Sequence, residues 1–264
     1  LVTDCESLFG LQTYKGEGQL VAISAIAKSL NLLLDDVYLA GLWEKQLSNQ
    51  LLWCNVDESS EISPPEHYQA PSWSWASINS AVEMPGYPPI QYSKRLGVEP
   101  MWSKVLKTYT KSRDGDETGE AISGFIRIRG PLANVVFRQV KLNGSIINDL
   151  YILDRWIELD NSSPTGRSKI IADCGVCVDK EGEIYEHKLF FLPVRNVAPA
   201  KAVEVDGLLL EPVGHDKGHF RRFGVLKLSR DESIKLEALR DAEKHVRCEY
   251  EEFHEMGEYT VTVI

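Results

Sequence analysis

Hydrophobic residues follow helical spacing near the start of the chain and strand-like alternation through most of the remainder. Between Gln19 and Leu30 the apolar positions Leu20, Ile23, Ala27 and Leu30 recur at three- and four-residue intervals, and Ala22, Ala25 and Ala27 favour helix, so an amphipathic helix is predicted there. A second helix is predicted from about Tyr38 to Trp53. Its inner stripe would hold Leu39, Leu42, Trp43, Leu47, Gln50 and Leu51, with Glu44 and Lys45 outward. Trp43 and Trp53 return to nearly the same azimuth after almost three turns, which sends both into one core. Asp35 and Asp36 suit the start of this helix, because carboxylates accept first-turn N–H bonds.

From Gly124 the period becomes two. Phe125, Ile126 and Ile128, then Val135, Val136 and Phe137, form two β-rich runs parted at Gly130-Pro131. Further strands are predicted at 170–178 and 188–194, joined by the charged loop 179–183, and at 203–212 and 220–228 around a loop at His215 to His219. A charged helix is expected at about 231–250, followed by a final strand over 258–264, where Tyr259, Val261 and Val263 alternate with polar residues. Residues 78–123 hold Pro85, Pro88 and Pro89, which forbid a long helix, and read as an irregular insertion with a strand at about 102–110. The expected fold class is therefore α+β, with N-terminal helices packed on a mostly antiparallel β-rich domain that carries one late helix and a C-terminal strand. The expected division is a helical segment over 1–57 and a β-rich domain over 58–264.

In Pro71-Ser72-Trp73-Ser74-Trp75-Ala76-Ser77 an extended backbone would put Trp73 and Trp75 on one face and the small residues on the other. Two indoles on one face are expected to anchor a strand against a second layer. A ligand-stacking platform is the alternative.

Three segments carry a resemblance. Tyr38-Leu39-Ala40-Gly41-Leu42-Trp43, Gln50-Leu51-Leu52-Trp53 and Tyr68-Gln69-Ala70-Pro71-Ser72-Trp73-Ser74-Trp75-Ala76-Ser77 stand in the order found after the signature domain of fungal heterokaryon-incompatibility (HET) proteins, which this chain resembles. The helix at Leu20 to Ala27 and the pattern over 170–264 are also similar to that family. The resemblance implies a sensing, scaffolding or autoinhibitory region that acts in non-self recognition and cell death. Trp43, Trp53, Trp73 and Trp75 would be its aromatic anchors. The expected partner is an N-terminal HET domain of the same polypeptide, with another protein beyond it. Neither signature block of that domain occurs in these 264 residues, so the resemblance brings no catalytic residue with it. The opening at Leu1 reads as the continuation of a longer polypeptide.

Composition narrows the functional classes. Lys and Arg number 29 against 39 Asp and Glu, a net charge of −10 with the acids scattered, which argues against nucleic acid and against anionic membranes. No apolar run reaches the roughly 18 residues of a membrane span, and the N-terminus lacks a signal-peptide layout, so a cytoplasmic location is expected. Five cysteines do not suggest a disulfide framework.

The candidate chemistry is sparse. Cys174 and Cys177 form a C-x-x-C with His215 and His219 downstream, but the separation is too wide for a compact zinc site, and no metal or cofactor is expected. There is no nucleophile elbow, P-loop or dinucleotide-binding glycine pattern. Arg221-Arg222 reads as an anion contact or, more simply, as an edge-strand arginine paired with a carboxylate. Glu66 and His67, beside the tryptophans, could line the rim of an aromatic pocket. That supports the alternative function, a cofactor-independent enzyme of cyclisation or rearrangement. The leading expectation is a region without catalytic activity of its own.

Overall fold

Phe190-Phe191-Leu192 and Leu208-Leu209-Leu210 are apolar runs without alternation, and each is buried throughout. Successive strand residues point to opposite faces, so such runs need a core on both sides. Phe190, Leu192, Leu208 and Leu210 enter one core, while Phe191 and Leu209 enter another.

The computed structural model describes residues 18–56, 65–85, 101–143, 145–153, 155–159, 168–173, 180, 182–197, 204–214, 216–229 and 249–264. Its main feature is a sheet of eleven strands among these residues. In chain order they are β5 (Lys104–Ser112), β6 (Ala121–Gly130), β7 (Ala133–Leu142), β8 (Ser145–Ile152), β9 (Arg155–Glu158), β10 (Lys169–Ala172), β11 (Ile184–Val197), β12 (Glu204–Pro212), β13 (His219–Ser229), β14 (Glu252–His254) and β15 (Glu258–Val263). The spatial order is β5-β6-β15-β13-β12-β11-β7-β8-β9, with β10 added on β13 and β14 on β15. All pairings are antiparallel except β13 with β15, where His219 and Phe220 run parallel to Thr262 and Val263.

Two layers of side chains follow from this order. Ile126 and Ile128 of β6, Tyr259, Val261 and Val263 of β15, Phe190, Leu192 and Val194 of β11, and Leu208 and Leu210 of β12 face the N-terminal part of the chain. Phe137 of β7, Leu150 and Ile152 of β8, Ile170 of β10 and Leu226 and Leu228 of β13 close the second core on the other face.

The N-terminal part overturns the α+β expectation. Helix α1 (Gln19–Leu34) forms where helical spacing predicts one. The predicted helix over Tyr38 to Trp53 does not form. That stretch is instead a tight hairpin, β1 (Tyr38–Leu39) with β2 (Leu42–Trp43), then a 3-10 turn over Glu44–Gln46 and a single helical turn, α2 (Leu47–Gln50). The reason is local. Asp35 ends α1 in the left-handed region, and Ala40 and Gly41 both have positive φ, the geometry of a two-residue hairpin turn. Asp36 starts no helix, since its carboxylate accepts from the backbone N–H of Val37 at 2.8 Å and of Lys45 at 3.1 Å.

Helix among the described residues is thus one long element and a few short turns, and the chain is mostly β. Short strands β3 (Cys54–Asn55) and β4 (Val82–Glu83) pair beside the hairpin. Within 78–123, Lys104–Ser112 is the strand at one end of the large sheet. The late helix expected at 231–250 falls almost wholly outside the described residues. No described helix is long and apolar enough to cross a membrane.

Candidate functional site

The tryptophan motifs meet at one place, and the local backbone shows why. Pro71 to Ser77 is not a strand. Ser74 N–H donates to the Pro71 carbonyl at 2.9 Å, closing a turn, and the Ser74 hydroxyl then accepts from Ala76 N–H at 3.1 Å to cap a 3-10 turn over Trp75–Ser77. The expected alternation of Trp73 and Trp75 on one face is therefore replaced by a turn that aims the two indoles at different targets.

Trp75 Nε1–H donates to the Gly41 carbonyl at 2.9 Å, and the Ser74 hydroxyl donates to the Ala40 carbonyl at 2.6 Å. Both carbonyls belong to the turn of the β1–β2 hairpin. Gly41 has φ +98°, and a Cβ there would lie 2.5 Å from Trp75 Nε1, so both the conformation and the space require glycine. Trp53 Nε1–H donates to the Trp73 carbonyl at 2.9 Å. The three segments that carry the family resemblance are thus knitted together by their own hydrogen bonds. Trp73 packs under the sheet, where a Cβ on Gly124 of β6 would meet its ring at 3.1 Å.

The sheet answers with Arg222 of β13. Its guanidinium lies 3.4 Å from the centre of the Trp53 ring and is fully buried. Nη1 donates to the Leu51 carbonyl at 2.7 Å and Nη2 to the Trp53 carbonyl at 2.5 Å, while Nε and Nη2 fork onto Asp173 at 2.8 and 2.9 Å. Arg222 N–H donates to the Ser72 hydroxyl at 2.9 Å, and Ser72 in turn donates through its hydroxyl and its N–H to the carbonyl of Ile264. Burial drives the Asp173 carboxyl up and the Arg222 guanidinium down, each toward its neutral form, and the charge and hydrogen bonds of the partner oppose both shifts. The two-pronged contact favours the ionised pair. Burial likewise pushes the neighbouring Cys54 thiol up, which makes it a poor nucleophile.

This cluster is closed to solvent. Trp53 and Trp73 are 0% exposed, Trp75 4% and Trp43 7%. Trp43 packs edge-on against Tyr38 at 5.1 Å beside Ala27 of α1, and its backbone N–H donates to Gln50 Oε1 at 2.7 Å. No face of these indoles is left for a ligand to stack on.

Glu66 and His67 lie elsewhere, in an exposed loop. His67 lines a cleft of about 390 Å³ with the first turn of α1, Gln69, Arg113 and Glu120, and neither Glu66 nor any of the four motif tryptophans lines it. Arg113 and Glu120 form a two-bond ion pair across it at 2.7 and 2.8 Å. A second, more open groove of about 580 Å³ runs past Met101, Trp102 and the Arg129–Glu258 ion pair. Neither brings together a nucleophile, a base and an orienting group.

Of the remaining candidates, Arg221 and Arg222 are each bonded to a carboxylate, Glu211 and Asp173, but the strand that carries them, β13, lies between β12 and β15 inside the sheet and not at its edge. Cys174, Cys177 and His215 lie outside the described residues, and the described residues contain no group of three or more His, Cys, Asp or Glu able to hold a metal. Asp173, the partner of Arg222, has no local signal in the sequence. Comparison with protein-family models, with curated proteins and with solved structures returned no match to this chain.

Proposed function

We infer that this chain is the sensing and scaffolding region of a HET-like fungal protein, acting in the cytoplasm in non-self recognition and cell-death signalling, and non-catalytic by itself. It holds and restrains an N-terminal effector domain of the same polypeptide and presents surface to a second protein. One observation carries the reading. The four tryptophans of the family motifs are buried in a structural joint, where the Trp53 and Trp75 indoles donate to backbone carbonyls and the Trp53 ring faces Arg222, and the polar pair suggested for catalysis sits apart from them.

The test is co-expression of this chain with a HET domain in a fungal host, scored by the frequency of cell death. The wild-type chain is expected to change that frequency, and Glu66→Gln with His67→Ala to change it equally. Loss of the effect in the double variant, with melting unchanged and turnover detectable in the purified wild type, would return the function to a catalytic cleft.

A further inference from the structure

Helix α1 carries more apolar surface than its packing uses. Leu20 and Ala27 are buried and Ile23 packs against the core, but Val21, Ala22, Ala25, Ile26, Leu32 and Leu33 all point away. At 3.6 residues per turn these six fall within an arc of about 140° and form one stripe along the helix, interrupted only by the exposed Ser29, whose hydroxyl is turned back onto the Ala25 carbonyl at 3.0 Å. Val21 is 56% exposed, Ile26 45%, Leu32 89% and Leu33 80%. The stripe leaves roughly 600 Å² of apolar surface in water, the upper end of what a monomer leaves contiguous.

The chemistry of the stripe limits what can cover it. Lys28 is the helix's one charged residue, and Asp116 engages it at 2.6 Å. Helices that lie in a membrane interface carry a polar face rich in Lys and Arg, which α1 lacks, on a chain of net charge −10. A partner chosen by charge has nothing to read here.

The geometry points to a second copy of this chain, with the two α1 stripes antiparallel across a twofold axis. An uncharged stripe is self-complementary in a way that a charged one is not. In the antiparallel arrangement Leu33 and Leu32 of one copy lie over Val21 and Ala22 of the other, and near the middle Ala25 faces Ser29, two small residues that let the backbones approach. Two such stripes bury about 1,200 Å², the lower end of a specific interface, so the dimer is reversible rather than obligate. This inference does not depend on the role in non-self recognition.

The experiment is sedimentation velocity on the 264-residue chain over about 1 to 100 µM, a range that brackets micromolar association. The wild type is expected to pass from monomer to dimer. Leu32→Glu with Leu33→Glu should remain monomeric with unchanged melting, and Ala25→Arg should weaken the dimer at least tenfold. Ile184→Glu, at an exposed site on β11, should leave it intact. A wild type that stays monomeric throughout overturns the inference, as does a dimer that survives both α1 variants or is lost equally in Ile184→Glu. Flotation of the wild type, but not the double variant, with phosphatidylcholine–phosphatidylserine vesicles would assign the stripe to a membrane instead.

Discussion

A buried guanidinium is stable only when its donors and its charge are both answered, and Arg222 meets both conditions through Asp173, two backbone carbonyls and the face of Trp53. Removing one partner of such a pair leaves the other charged and unpaired in a dry site, a loss of about 3–5 kcal/mol. Arg222→Met is expected to lose stability on that scale in urea unfolding. Adding Asp173→Leu removes the orphaned charge and should restore part of the loss, though not all, because the Leu51 and Trp53 carbonyls remain without their donor. A double-mutant cycle should therefore give a coupling above about 1 kcal/mol. Strictly additive losses would mean that Arg222 and Asp173 do not stabilise one another. The sequence offers only an arginine of the Arg221-Arg222 pair matched with some carboxylate; which arginine is buried and which carboxylate answers it are not legible there. Arg222 is marked only as one of two adjacent arginines, and Asp173 stands 49 residues away in an unremarkable segment.

The hairpin of β1 and β2 belongs to the next scale, where local conformation and packing coincide. Gly41→Ala places a Cβ at positive φ and into the Trp75 indole, so both backbone strain of about 1–3 kcal/mol and displacement of Trp75 are expected. The check is a lowered melting temperature with altered Trp fluorescence; unchanged melting would contradict the hairpin. This element was misread as helix because Leu39, Leu42, Trp43 and Leu47 happen to fit helical spacing. The contrary signal was Ala40-Gly41 between two apolar pairs, a glycine that a helix interior disfavours.

Helix α1 is tied to the β5–β6 turn by Asp116, which bonds Lys28 and Thr118. Lys28 first, then Thr118, hold the Asp116 carboxyl down from its usual value to about 2. A depressed carboxylate stabilises the fold above its unfolded pKa and loses that contribution as pH falls through the folded one. The melting difference between wild type and Asp116→Asn should thus be present at neutral pH and shrink between just under pH 4 and about pH 2. A gap that does not change with pH would remove Asp116 from the tether.

In the whole molecule, the sheet has a core on each face, and the tryptophan joint fills one of them. The strands were the readable part. Alternation marks β6, β7 and β15, and uninterrupted apolar runs mark the doubly buried β11 and β12. Which strands become neighbours was not readable, because the parallel contact of β13 with β15 joins residues more than 40 positions apart, and one chain gives no record of such pairs. The tryptophans were legible as anchors but not as a turn, since Trp73 and Trp75 alternate like strand residues while Ser74 caps a 3-10 turn between them.

The central claim is that these tryptophans hold the fold rather than a ligand, and the most direct measurement is urea unfolding of Trp53→Ala beside His67→Ala. Trp53→Ala should lose about 3–5 kcal/mol, the usual cost of truncating a buried aromatic, and His67→Ala should stay within about 0.5 kcal/mol of wild type. A Trp53→Ala chain that unfolds like the wild type, yet has lost binding of a ligand or partner, would contradict the account.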